Sequence, residues 1–357
     1  MLQGVRVIDF SQYLPGPFAT LRLADLGAEV IKVEPPQGDP SRFMAQKTLY
    51  AANNRGKKSV VIDLKEEKGQ EQALNLLKKA DVVVESFRPG VMDRLGLGFE
   101  DVKKVNEQIV YLSLTGFGQH SFYSNQGSHD INYLAMSGML SQLKDEHGTP
   151  ILPTNTVADL IGGITASEAI LAALFLKERT GQGKYIDLAM TDAVFSMMGN
   201  HVMLNQFANL SDGIPVLNGD YANYRIYETK DSRYMSLGAL EYKFWQNFCQ
   251  AVNRQDWLKN FPNQLKNKDV TENVKQLFMT KTFNEWIELG EMHDCCLFPV
   301  LEIDEVMNSQ YIDERDLIHC ENGLPFVQPH NGYVHKSYQT AKLGEHTNDI
   351  LSTKDPT

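Results

Sequence analysis

Between Val5 and Leu114, short β-branched runs alternate with helix-like stretches, and this alternation constrains the fold more than any other feature of the chain. Val5 to Phe10 reads as a strand, Pro17 to Leu26 as a helix, and Glu29 to Val33 as a second strand that ends at Glu34. Strands follow at Ser59 to Ile62, Val82 to Glu85 and Ile109 to Leu114, with a helix through Gln70 to Lys79. Repeated strand–helix–strand units build a parallel sheet through right-handed crossovers, with helices covering its faces. A long apolar helix from Asp159 to Arg179 comes next, stopped by the glycine signal Thr180-Gly181-Gln182-Gly183. Gly162 and Gly163 cost helix propensity near its start, which implies close approach of a backbone or a ligand. Lys184 to Ala189 predicts one more strand, and Asp192 to Phe207 one more helix. The expected class is α/β, with a Rossmann-like large domain.

After Leu217 the texture changes to aromatic, polar segments: Tyr221 to Tyr227, Tyr234 to Leu237, then Trp245, Trp257 and Trp286 in helix-like stretches. This predicts a smaller α+β domain at 221–305, reached by a linker at 201–220 from a large domain whose first part is 1–200. Near Phe298-Pro299-Val300 the chain is expected to turn back, with 306–357 completing the large domain and a loose tail from Asp349. A length of 357 residues provides an ample core for two domains, and an apolar fraction of 42% argues against global disorder. A net charge of -11 argues against nucleic acid and anionic membrane as bulk partners. The longest apolar run, Ala169 to Leu176, is too short to span a bilayer. Cys249, Cys295, Cys296 and Cys320 form no CxxC pair and no metal-ligand spacing, so no metal is expected. Strand-like sequence begins at once after Met1, so no signal peptide is expected and the location is read as cytoplasmic.

Val5 to Glu34 imitates a dinucleotide-binding unit, acidic residue included, but its first turn reads Ser11-Gln12-Tyr13-Leu14-Pro15-Gly16-Pro17. That turn lacks the GxGxxG that lets backbone approach a pyrophosphate, which excludes a nicotinamide reading. Two other places carry chemistry. His129-Asp130-Ile131-Asn132-Tyr133 and Ala158-Asp159 each put a protonatable group where a loop enters a helix. Singly they have ordinary explanations: a histidine there caps or is solvated, an aspartate is usually an N-cap, and Glu241 is a solvated carboxylate. Together, an imidazole and a carboxyl suit removal of one proton and return of another.

These residues sit within a longer series of motifs. Gly4-Val5-Arg6-Val7-Ile8-Asp9 with Gly16-Pro17 opens it, followed by Asp25-Leu26-Gly27-Ala28-Glu29-Val30-Ile31-Lys32-Val33-Glu34 and Asn54-Arg55-Gly56-Lys57-Lys58-Ser59. Phe87-Arg88-Pro89-Gly90, Arg94-Leu95-Gly96, Arg179-Thr180-Gly181-Gln182-Gly183 and Leu343-Gly344-Glu345-His346-Thr347 complete it in order. Over nearly its whole length the chain resembles the class III CoA-transferase family, and within it the α-methylacyl-CoA racemase branch. The resemblance implies a large Rossmann-like CoA-binding domain built from both chain ends, a small domain between, and an interlocked homodimer.

The resemblance also implies roles. The position of Asp159 is the nucleophile in transferases, where it attacks the thioester, and an acid/base in racemases. The histidine separates the branches, because racemases carry the HDINY found here. On that reading His129 and Asp159 invert the α-carbon of a 2-methyl-branched acyl-CoA from opposite faces, through an enolate. Backbone N–H groups at the helix start hold Asp159 as carboxylate, and apolar surroundings raise its pKa. The backbone N–H of Asp130 donates to the enolate oxygen, and Glu241 orients the imidazole. Arg88 and Arg94 meet the CoA phosphates, Lys65 and the backbone near Tyr13 and Leu14 the adenine end, with Phe87 lining the pocket and Lys57 and Lys58 as helpers. CoA is part of the substrate, and no further cofactor is implied. The alternative is a CoA-transferase with Asp159 as nucleophile. Two departures from the branch stand out. Pro35 and Pro36 follow Glu34 where relatives often have an arginine, so that phosphate contact is either lost or supplied by Arg42, and Ser128 precedes the histidine where racemases commonly have glycine.

Overall fold

The strand-forming runs of the first third lie side by side in a six-stranded, wholly parallel sheet. Its strands are β1 (Arg6–Asp9), β2 (Glu29–Glu34), β3 (Lys58–Val61), β4 (Val82–Glu85), β5 (Val110–Thr115) and β6 (Lys184–Ala189), in the order β3-β2-β1-β4-β5-β6. Every residue of β4 and β5 is buried, as expected of strands covered on both faces. The strand order reverses between β1 and β4, and in open α/β sheets ligands bind at such a point, beyond the carboxyl ends of the strands. The computed structural model describes residues 1–145, 147–259, 261–328 and 338–352.

The chain divides into two compact units, Met1–Met198 with Arg315–Thr357, and Gly199–Glu314. In the first unit one core lies on the face that carries Val7, Leu23, Val82, Val84, Leu112, Ala166 and Ile170, and the other on the face with Ile8, Ile31, Val60, Leu77, Val83 and Tyr111. The long apolar helix runs from Val157 to Thr180 and ends in left-handed Gly181. At 24 residues, with mean hydropathy 1.6 in its most apolar stretch, it is long and apolar enough to cross a membrane by length and composition alone. It outruns the apolar run Ala169 to Leu176 because Ser167, Glu168 and the two glycines continue the helix. The close approach those glycines require comes from backbone and core. A Cβ on Gly163 would lie 2.8 Å from the Pro15 carbonyl oxygen, and one on Gly162 would lie 2.8 Å from Met190 Cγ.

The second unit builds a three-stranded antiparallel sheet from β7 (Tyr224–Glu228), β8 (Tyr234–Gly238) and β9 (Leu297–Pro299). Its core stacks Trp245, Phe248, Phe278 and Trp286 over Tyr227 and Trp257. Several details differ from the sequence expectation. Asp192 to Phe207 is two helices, Met190–Ser196 and Gly199–Ala208, so residues 201–208 of the expected linker are helical. Phe298-Pro299-Val300 does not turn the chain back. Phe298 and Pro299 pair in β9, and the second unit continues to Glu314.

The tail is also more ordered than expected. A helix spans Thr347–Leu351, and Ile350 and Leu351 pack on the core of the first unit. The same segment reaches the outer strand β3. His346 N–H donates to Ser59 O at 2.9 Å, Val61 N–H to Thr347 Oγ1 at 3.0 Å, and Gly344 N–H to Ser59 Oγ at 2.9 Å. Residues 353–357 lie outside the described residues.

Candidate active site

The reversal of strand order between β1 and β4 brings two loops together. Phe10 N–H donates to Val84 O at 2.8 Å and Gln12 N–H to Ser86 Oγ at 3.2 Å, so Tyr13 and Leu14 stand beside Phe87 and Arg88. Tyr13 is exposed and takes a left-handed backbone conformation (φ 64°), which a non-glycine residue rarely adopts. Leu14 precedes the helix Pro15–Asp25. Phe87 is half-buried against the core, its N–H donating to Glu85 Oε2 at 2.8 Å, while Arg88 is exposed.

The HDINY segment is built over the carboxyl end of β5. His129 is the N-cap of the helix Asp130–Met136, and its N–H donates to Asn132 Oδ1 at 3.0 Å. Asn132 therefore holds the helix start in place. Tyr133 is buried against Gly116, where any Cβ would stand 2.5 Å from the ring, and its hydroxyl bonds Ser128. Ser128 thus turns its hydroxyl to Tyr133. Arg88 reaches this segment, its guanidinium lying 3.6 Å from where a Cβ on Gly127 would stand.

Asp130 joins this helix to the long one: its Oδ1 accepts the backbone N–H of Asp159 at 2.9 Å. Asp159 lies in the first turn of the long helix, half-buried, and among the described residues no N–H reaches its carboxylate. The expectation that helix-start N–H groups hold Asp159 as a carboxylate is therefore corrected. Burial pushes its pKa up to about 7, and the neighbouring Asp130 carboxylate adds to the shift. Asp159 is one helical turn from Gly163, whose backbone lies against the Pro15 carbonyl, so the start of the long helix packs beside the β1 loop. His129, Asp130, Asp159, Arg88, Tyr13, Leu14 and Phe87 thus gather at the carboxyl ends of β1, β4 and β5.

Within the first unit, Lys65 and Arg94 stand apart from these residues. Lys65 is exposed beyond β3, two strands from β1, and Arg94 is exposed at the end of the short helix Val91–Arg94. Glu241, also exposed, caps the helix Tyr242–Ala251 in the second unit. Lys57 is no phosphate ligand. It is buried, with Nζ 3.1 Å from Asp9 Oδ2 and further bonds to Pro17 O, Thr20 Oγ1 and Asn54 Oδ1. Lys58 pairs with Glu29 at 2.6 Å. Arg42 is engaged too. Its guanidinium donates to both carboxylate oxygens of Glu34 at 2.7 Å and lies over the Tyr50 ring, so it does not replace the missing arginine. Three methionines near these helices differ in exposure: Met190 is core, Met139 packs against the core and Met136 is exposed.

Glu85 was not singled out in the sequence. It ends β4 beneath Phe87, and burial pushes its pKa up to about 7, with Asp93 and Asp187 adding to the shift against hydrogen bonds from Ser113 and the Phe87 N–H. The signal was available, since Val82-Val83-Val84-Glu85 puts an acid in a run that a parallel sheet buries entirely.

A sequence model of CoA-transferase family III matches residues 2–343. The chain belongs to CoA-transferase family III. Its relatives in the family differ in activity. It is 35% identical to α-methylacyl-CoA racemase of Homo sapiens, over 98% of this chain and 92% of that protein. It is 32% identical to succinyl-CoA:glutarate CoA-transferase of Mus musculus, over 98% of this chain and 85% of that protein. The crystal structure of a CAIB/BAIF family protein from Brucella suis superposes with TM-score 0.87 at 25% identity, covering 98% of each chain.

Proposed function

We propose that this member of CoA-transferase family III is an acyl-CoA racemase that inverts the α-carbon of 2-methyl-branched acyl-CoA thioesters. The observation that carries the reading is the Asp159 carboxyl, at about 7 and joined through Asp130 to the helix that His129 caps. A group that gives and takes a proton in both directions works best with a pKa near the working pH, whereas a nucleophilic carboxylate works ionised. In one direction neutral His129 removes the α-proton and protonated Asp159 delivers one to the opposite face; the reverse reaction exchanges the roles. The Asp130 N–H, first in its helix, has no intrahelical partner and among the described residues donates to no acceptor, which leaves it to donate to the enolate oxygen. Glu241 is assigned the orientation of the imidazole. Arg88 is assigned the CoA phosphates beside the turn at Tyr13 and Leu14, with Arg94 and Lys65 farther along the cofactor-like tail of the substrate. The functional form is assigned as an interlocked homodimer; exposed Phe122, Phe175 and Phe207, at 91%, 64% and 83% exposure, supply apolar surface for such an association.

The test is incubation with single-enantiomer 2-methylacyl-CoA in deuterated water, without an acceptor acid. The expected result is deuterium at the α-carbon together with loss of optical purity. Absence of exchange for every branched chain tried, with CoA moving to an added carboxylic acid, would establish the transferase instead. Arg88→Ala is expected to raise KM about tenfold or more through loss of a charge-assisted phosphate contact. An unchanged KM would remove Arg88 from the phosphate site.

A further inference from the structure

The β1 loop does without glycine at the position that needs it. Dinucleotide-binding turns use glycine to let backbone turn tightly, yet here the left-handed residue is Tyr13. A left-handed non-glycine residue is strained and persists only where its surroundings fix it. Directly beneath this loop lies a set of buried charges. Asp9 Oδ1 accepts the Ser11 N–H at 2.9 Å and the Ser11 hydroxyl, and the Lys32 ammonium donates to the Ser11 carbonyl. Asp39 Oδ1 accepts the Tyr13 N–H at 3.3 Å, together with the Ser41 N–H and hydroxyl at 2.9 and 2.7 Å. Its other oxygen faces Lys32 Nζ at 3.1 Å, and among the described residues no other donor reaches it. Asp9, Lys32 and Asp39 are all fully buried. Lys57 balances Asp9 from the other side at 3.1 Å, and Arg42 balances Glu34, which also accepts the Asp39 N–H at 3.1 Å.

Buried ion pairs are weak stabilisers compared with apolar packing, because desolvation offsets much of the attraction. A set of this size therefore calls for a role beyond stability. Its contacts are specific: three successive features of the loop, Ser11 N–H, Ser11 O and Tyr13 N–H, are each met by one of these side chains. The geometry points to Asp39 and Lys32 as positioning residues that hold the Tyr13–Leu14 turn in the shape that receives the CoA portion of the substrate. They take the place that glycine holds in dinucleotide-binding turns. Neither touches the reacting atoms. This inference rests on the reading of the site as one for a CoA thioester.

The test uses the full-length chain, Asp39→Asn and Asp39→Ala, with free CoA as the probe. Asparagine keeps the volume, but its amide cannot accept from both Tyr13 and Lys32, so this variant carries the test should alanine unfold the protein. Expected are a loss of about tenfold in hydrogen-exchange protection at the Tyr13 amide and a rise of about tenfold in the CoA Kd, which is what one hydrogen bond to a charged group supplies. Wild type that binds CoA beside an Asp39→Asn that binds equally well, or whose Tyr13 amide stays protected, overturns the inference. Wild type that binds no CoA defeats the reading of the site, and the inference with it; that outcome shows in the wild type alone.

Discussion

Asp159→Asn should abolish turnover and at the same time make the folded protein more stable at pH 8. The two effects have one origin. Asp159 is half-buried beside a second carboxylate, and its pKa stands near 7 in the folded chain against 3.8 for an ordinary aspartate. For an acid whose folded pKa is raised, the native state holds the proton longer than the unfolded chain. Stability therefore falls as pH rises from about 4 to about 7, and the loss is complete above that. A shift of this size corresponds to about 2 to 4 kcal/mol once the group's partial exposure to solvent is allowed for. Asparagine has nothing to ionise, so its advantage in urea unfolding should be small near pH 4, grow through pH 7 and level off above it. Equal stability of the two proteins at pH 8 would show that Asp159 is an ordinary solvated carboxylate. The activity lost should be 10³-fold or more, since the variant can neither deliver nor accept a proton. Destabilisation at a working site is a common exchange of stability for function.

His129→Ala should reduce α-deuterium exchange by about 10²- to 10⁴-fold, the usual contribution of one general acid–base group. The fold should be little affected. His129 is exposed, and the bond that starts its helix runs from its backbone N–H to Asn132, which alanine retains. The variant separates the two chemistries of the family. A transferase that uses Asp159 as nucleophile has no need of an imidazole at this position and should keep its rate of CoA transfer in His129→Ala. Exchange that survives the substitution would therefore count against inversion by two groups, whatever Asp159→Asn shows.

The sheet was legible from sequence because parallel strands buried on both faces read as continuous β-branched runs. Val82 to Glu85 and Val110 to Thr115 are such runs, and the edge strand Lys184 to Ala189, only partly buried, also falls where expected. The expected helix from Asp192 to Phe207 is interrupted after Ser196, with no proline to mark the break and Gly199 opening the next segment. The Phe298-Pro299 pair read as a turn because proline usually leaves a sheet, yet Pro299 ends an edge strand, where its missing N–H costs little. Of the candidate site, the His129 and Asp159 motifs were visible as local patterns. That Asp130 joins them was not, because the contact depends on two helices 29 residues apart in sequence meeting. The basic residues misled for a different reason. Lys57 and Arg42 are cations that burial pairs with Asp9 and Glu34, and sequence carries no sign of which acids will stand opposite.

The return of the last residues to β3 bears on how the protein is made. The bond between Val61 and Thr347 spans 286 positions, and β3 has β2 on one side only. At ribosomal rates of about 5 to 20 residues per second, roughly 15 to 60 s separate the emergence of these partners. For that interval the outer side of β3 would be uncovered, first in the forming sheet and then, once β6 at Lys184–Ala189 has been made, in the complete one, the kind of edge that pairs with neighbouring nascent chains. Soluble yield of this protein is thus expected to depend on a low concentration of nascent chains or on chaperone protection more than its final stability suggests.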